Sequence, residues 1–173
     1  MAEGLKDIIA GNLAVIFCGI NPGITAAAQG RHFAGRGNRF WRTLHLAGFT
    51  SEELRPEDDR SILHYRCGLT AVVARPTARA DQLSLQEFKA AAVDFEQKIA
   101  RCAPRFVAFL GKAAYAALSG QNELKWGRQG VTFGNAEVWV LPNPSGRNLG
   151  FSLEQLVSAY RDLYLAALEP EAA

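Results

Sequence analysis

Two asparagines stand where they could do chemistry without a strong base or a nucleophile. Asn21 lies in Gly19-Ile-Asn-Pro-Gly23, at the end of the apolar run Ala14-Val-Ile-Phe-Cys18. Asn143 lies in Val138-Trp-Val-Leu-Pro-Asn-Pro-Ser-Gly146, again an apolar run broken by Asn-Pro with a glycine just after it. A proline fixes its own φ and pushes the preceding residue towards extended backbone, so each asparagine is held on a rigid shelf. A side-chain amide is a poor base, but it donates and accepts hydrogen bonds and can orient a water. It suits a reaction whose leaving group departs readily and whose transition state needs a positioned water. The plainer reading of Asn21 is an Asx turn ahead of proline.

Other chemistries find less support. Ser145 has no histidine near it in the chain and reads as a loop hydroxyl rather than a nucleophile. The first loop carries neither Gly-x-Gly-x-x-Gly nor a Lys-Ser/Thr phosphate cradle, so a nucleotide cofactor is not expected. His32, His45 and His64 show no ligand spacing with each other or with Cys18, Cys67 and Cys102. No metal is expected, and the cysteines read as reduced core residues.

The charge balance is small, with 19 basic and 17 acidic residues giving a net +2. Its distribution says more. Arg31, Arg36, Arg39 and Arg42 fall together with His32 and no acid, interleaved with Phe33, Phe40 and Trp41. Arg75, Arg79, Lys125, Arg128 and Arg147 lie near the ends of apolar runs. Any one of these is ordinarily a solvated surface charge; together they read as one basic rim suited to phosphates.

The elements that position these residues follow from periodicity. Apolar runs at 15–18, 69–74, 106–110 and 138–141 read as buried strands. Helices are expected over 5–9, 39–47, 51–65, 84–99, 113–118 and 153–168, with Ser84 and Ser152 as N-caps and Gly48 as a stop. The stripe Leu85, Phe88, Ala92, Phe95 and Ile99 should face the core. Residues 21–37 read as a long loop, and 131–133 as a short edge strand. Strands that alternate with helices and are apolar on both faces predict a parallel sheet covered on each side. Ligands bind beyond the carboxyl ends of such strands, which would bring Asn21 and Asn143 to one crevice. The length of 173 residues fits one domain, 1–173, with a frayed tail at 169–173. No apolar run is long enough to span a membrane and the first residues lack a signal-peptide layout, so the expected compartment is the cytoplasm.

At this point the residues carry a resemblance. Gly19-Ile-Asn-Pro-Gly23, Arg31-His-Phe-Ala-Gly-Arg-Gly-Asn-Arg-Phe-Trp41 and Leu141-Pro-Asn-Pro-Ser-Gly146 resemble motifs of the mismatch-specific uracil-DNA glycosylases, bacterial relatives of thymine-DNA glycosylase in the uracil-DNA glycosylase superfamily. Tyr65-Arg-Cys-Gly-Leu-Thr70, Arg75-Pro-Thr77, Leu110-Gly-Lys112 and Trp126-Gly127 extend the likeness over nearly the whole chain. The resemblance implies a three-layer α-β-α sandwich around a mainly parallel four-stranded sheet, working as a monomer without cofactor. The implied partner is double-stranded DNA containing uracil or a mismatched base.

The resemblance also assigns roles. Asn21 would hold the water that attacks C1′ of a flipped nucleotide. Ile20 would line the base pocket, Phe33 would stack on the base, and Asn143 would help to hold it. Ser145, Gly146, Arg147, Asn148 and Leu149 would contact DNA and fill the gap the base leaves. Arg147 stands where relatives often have leucine, so Leu149 is a second wedge candidate. Ala26 and Ala71 imply a roomier pocket entrance. More active relatives carry Asp in place of Asn21, which raises the question of another carboxylate. Asp94, after the small-residue patch Ala90–Val93, is a second catalytic candidate, although helical spacing puts it opposite the core stripe. Two other readings stay open: a non-catalytic nucleic-acid-binding α/β domain, and a hydrolase of small nucleosides.

Overall fold

The computed structural model describes residues 5–171. Five strands form one sheet in the order β2-β1-β3-β5-β4. They are β1 (Val15–Gly19), β2 (Cys67–Ala71), β3 (Phe106–Leu110), β4 (Gly127–Phe133) and β5 (Ala136–Leu141). β2, β1, β3 and β5 run parallel, and β4 pairs antiparallel with β5 at the edge. The helices are α1 (Ile24–Gln29), α2 (Phe40–Ala47), α3 (Leu85–Cys102), α4 (Lys112–Ser119) and α5 (Leu153–Leu168), with a 3₁₀ helix over Pro56–Tyr65.

The side chains of β1 show why both faces must be covered. Val15 and Phe17 join one core with Phe40 and Leu44 of α2 and Leu156 and Tyr160 of α5. Ile16 and Cys18 join the other, with Phe88, Phe95 and Ile99 of α3 and Tyr115 of α4. Successive strand residues point to opposite faces, so a wholly apolar strand requires a helical layer on each side. The expected sandwich is what forms. The fifth strand is β4, which begins at Gly127 rather than near Val131. It stays exposed along most of its length because it has a neighbour on one side only, and its register with β5 shifts between Arg128 and Thr132.

Local chemistry fixes the helix ends. Ser84 and Ser152 both form capping boxes, with Glu87 and Gln155 as the reciprocal partners. Gly48 ends α2 in the left-handed conformation. Asn38 accepts the Phe40 N–H at 2.9 Å, one residue further from the helix than a cap proper.

Four expectations are corrected. Residues 5–9 are not helical: Ile8 bridges antiparallel to Leu69, trading N–H and C=O at 2.9 and 2.8 Å, because five residues cannot sustain a helix and the edge of β2 offers hydrogen bonds. The 21–37 loop contains α1, where Ala26, Ala27 and Ala28 favour a turn and a half that Gly30 ends. β2 stops at Ala71, after which the Val72 and Val73 N–H groups turn to the carbonyls of Gly19 and Ile20. Leu85 is exposed and Ala92 half-buried, so the inward stripe of α3 is Phe88, Phe95 and Ile99. Of the expected frayed tail, residues 172–173 lie outside the described part, while the carbonyls of Glu169 and Pro170 accept from Arg105.

Candidate active site

Four parallel strands deliver their following loops to one edge of the sheet. The loops after β1, β2 and β5, with the end of β3, line a cleft of about 680 Å³. Ile20, Asn21, Phe33, Asn143, Ser145, Gly146 and Arg147 all line it. Gly111, between β3 and α4, is where the two shelves meet. Its φ of +101° favours glycine, and a Cβ there would lie 3.6 Å from the Asn143 Cβ and 3.7 Å from the Ile20 Cδ1.

The orientation of Asn21 is fixed from the β2 side. Its Nδ2 donates to the Arg75 carbonyl at 2.7 Å and to Thr77 Oγ1 at 2.9 Å. A carbonyl can only accept, so the NH2 group must be the one facing Arg75. Both amide hydrogens are then used, which leaves Oδ1 as an acceptor for a water. The loops hold each other here as well: Thr77 N–H donates to the Pro22 carbonyl, and Gly23 bridges parallel to Thr77. Glu87 takes the Arg75 guanidinium in two hydrogen bonds of 2.8 and 2.9 Å, so the residue whose carbonyl aims Asn21 is itself tied to the start of α3.

That pair yields a prediction in acid. The Arg75 side chain, with the Ser84 backbone N–H, holds the Glu87 carboxyl down at about 2, against an ordinary value of 4.5. A carboxyl whose pKa is lower in the folded chain stabilises it above the unfolded pKa, and the stabilisation is lost as pH falls towards the folded value. The melting temperature of the wild type is therefore expected to exceed that of Glu87→Gln at pH 6, with the gap closing between about pH 4.5 and 2. Parallel melting curves across that range would contradict it.

Phe33 is held under strain. Its φ is +56°, a left-handed conformation that costs a bulky residue on the order of 1 kcal/mol or more. Its ring stacks on Phe40 with centroids 4.0 Å apart. The preceding residue is pinned on three sides: His32 N–H donates to buried Asp59 at 3.0 Å, its Nε2 donates to the Lys6 carbonyl at 2.7 Å, and its carbonyl accepts from Trp41 Nε1 at 3.1 Å. These contacts hold the strained residue in place at the cleft wall.

Asn143 makes the Asx turn that the plainer reading gave to Asn21: its Oδ1 accepts the Ser145 N–H at 2.9 Å. Its carbonyl accepts from Asn148 Nδ2 at 2.9 Å, and Tyr160, buried beneath, donates to the Pro142 carbonyl at 2.9 Å. The Nδ2 of Asn143 makes no hydrogen bond among the described residues. Beyond it, Asn148 and Leu149 do not line the cleft; Leu149 is 91% exposed, an apolar side chain standing out from the loop.

Asp94 does not join this constellation. It is exposed on α3 and absent from the cleft wall, because it lies two helical turns from Glu87 on the solvent side. The acid that does line the cleft is Asp7, alone among the described lining residues, with Thr70 donating to Oδ1 and Lys98 to Oδ2, each at 2.7 Å. Nothing in the spacing of Leu5–Ile9 marks it, since its partners are 63 and 91 residues away. Thr77 likewise shows in the sequence only as part of Arg75-Pro-Thr77.

The basic rim is thinner than the sequence suggests. Arg31 faces Asp59, Arg42 faces Glu53, Arg75 faces Glu87, Arg79 faces Asp81 and Arg128 faces Glu137. Arg39 is turned inward onto carbonyls. Arg36 and Arg147 line the cleft with no acid partner among the described residues.

A family model described as the uracil DNA glycosylase superfamily matches residues 7–168. The chain belongs to this superfamily. The solution NMR structure of a protein from Methanosarcina acetivorans, provisionally described as a uracil DNA glycosylase, superposes with a TM-score of 0.63 at 22% identity, covering 94% of this chain and 98% of that one. At that identity the likeness speaks to the fold. Among the described residues, no helix is long and apolar enough to cross a membrane.

Proposed function

We propose that this superfamily member is a mismatch-directed uracil-DNA glycosylase that hydrolyses the N-glycosidic bond of uracil in duplex DNA, preferably opposite guanine. One observation carries the reading: an amide locked by Arg75 and Thr77 so that only its oxygen is left to the cleft. The nucleotide leaves the helix and its base enters between Ile20 and Phe33, with the Asn143 amide donating to it. Asn21 Oδ1 accepts one hydrogen of a water and aims the oxygen at C1′. The C1′–N1 bond breaks with its electron pair going to uracil, which departs as an anion. The C1′–O bond forms, and the water's proton passes to solvent or to the leaving base. An abasic site remains.

An oriented water is enough for this bond because the base leaves as a delocalised anion, so the amide need not take the proton. No lysine is among the described residues lining the cleft, in keeping with hydrolysis without a Schiff-base step. Arg36 and Arg147 at the rim suit the flanking phosphates, and the Ser145–Leu149 loop suits the gap left in the helix. Ala26 and Ala71 both line the cleft, which favours tolerance of bases larger than uracil.

A panel of duplexes carrying one uracil opposite G or A, with the single strand as control, tests the reading. Extrusion costs less from a wobble pair than from a matched one, so uracil opposite G is expected to be cut at least about tenfold faster than uracil opposite A. Duplex binding with no cleavage of any substrate would replace the enzyme with a binding domain. Cleavage of free deoxyuridine would point to a nucleoside hydrolase.

A further inference from the structure

The base pocket and the loop that fills the helix belong to different parts of the chain, and Arg39 joins them. It immediately precedes α2, whose first residue, Phe40, carries the ring of Phe33. Its Nη1 donates to the Phe151 carbonyl at 2.7 Å; its Nη2 donates to the carbonyls of Asn148 at 2.9 Å and Ser145 at 3.2 Å. Its backbone N–H donates to the Pro144 carbonyl at 2.9 Å. Four carbonyls of one irregular loop, 144–151, therefore converge on a single residue. Beside it the two loops touch through backbone: a Cβ on Gly146 would lie 2.9 Å from the Gly37 oxygen.

A guanidinium spent on three carbonyls is not presented to phosphate, which sets Arg39 apart from Arg36 and Arg147. The planar fork fixes three acceptors at once, whereas an ammonium is a compact point donor with no such geometry. The remaining parts of the pocket have other supports. Asn21 rests on Arg75 and Thr77, and Phe33 on Phe40 and the contacts of His32. Loss of the Arg39 side chain thus frees the carbonyls of Ser145, Asn148 and Phe151, loosening the loop, and leaves the water-holding amide in place.

We infer that Arg39 is a positioning residue that sets the gap-filling loop against the base pocket, so that entry of the loop into the helix and capture of the base occur together. This rests on the glycosylase reading. It predicts an effect that depends on how much help the substrate needs to open.

The test compares single-turnover cleavage of uracil opposite guanine with uracil opposite a tetrahydrofuran abasic analogue, where no base pair has to be opened. Misplacing a positioning group by about 1 Å can cost on the order of a hundredfold, and Arg39→Met is expected to slow the G·U duplex by about that factor. The unpaired uracil should slow by less than about fivefold, and Arg39→Lys should fall between on G·U. Arg39→Lys, which keeps the charge and one donor, carries the test if Arg39→Met fails to fold by thermal melting, with the same selectivity at smaller size. Equal slowing on both substrates, or none on either, overturns the inference while the glycosylase reading stands. A wild type that cuts neither substrate overturns both.

Discussion

Asn21→Ala is expected to lower single-turnover cleavage of a G·U duplex by at least about a hundredfold, with duplex affinity unchanged within about threefold. The separation follows from where the side chain is held. Its Nδ2 hydrogens are committed to Arg75 and Thr77 within the protein, so what is left to the cleft is one acceptor oxygen. On the proposed reading, removing it takes away the orientation of the nucleophile but leaves Arg36 and Arg147 at the cleft and Leu149 exposed on its loop. The Arg75 carbonyl and Thr77 hydroxyl left behind sit beside the cleft, where water replaces the lost amide, so a fold-wide loss is not expected. Binding measured by fluorescence anisotropy and cleavage by gel, on the same duplex, check the two halves. Equal loss in both would mean that Asn21 grips DNA and does not steer water.

Phe40→Ala is expected to be the most damaging of the substitutions considered for stability. Phe40 is fully buried, and its ring lies 4.0 Å from Phe33, 5.1 Å from Trp41 and 5.4 Å from Phe17 by centroids. Deleting a buried phenylalanine costs about 3–5 kcal/mol through lost burial and the cavity left behind. For a chain of this length that corresponds to a fall of roughly 10 °C in the melting temperature. The same cavity removes the floor under Phe33, whose left-handed backbone then has less to hold it. Cleavage measured well below the new midpoint should therefore drop as well, by about tenfold or more if base stacking contributes as it does in other nucleic-acid sites. A midpoint within about 2 °C of the wild type would contradict the packing account.

These two residues also show what could be read in the chain and what could not. A strand followed by Asn-Pro is a local signal, and four apolar runs alternating with helices fix a parallel sheet, so the meeting of Asn21 and Asn143 at one edge follows from short stretches of sequence. The helix caps at Ser84 and Ser152 are equally local. What closes the site is not. Asn21 depends on Thr77, which is 56 residues away, and Arg39 depends on the carbonyl of Phe151, which is 112 away. An arginine among other arginines and aromatics looks like a phosphate contact until the carbonyls it serves are known. Asp7 has no local mark, and Asp94 follows a small-residue patch whose Ala91 packs on the core while Asp94 itself is exposed. β4 escaped in part because an edge strand needs only one hydrogen-bonded neighbour and can be polar along most of its length.

In the proposed reaction a uracil turned out of the helix is held between the two asparagine loops. A crystal structure of Asn21→Ala bound to a duplex with one G·U pair tests it most directly, since the bond should stay intact. The predicted result is uracil out of the stack, its ring against Phe33 and beside Ile20 and Asn143, with the 145–149 loop in the gap. A uracil still stacked in the duplex, or a duplex bound away from this cleft, would contradict it.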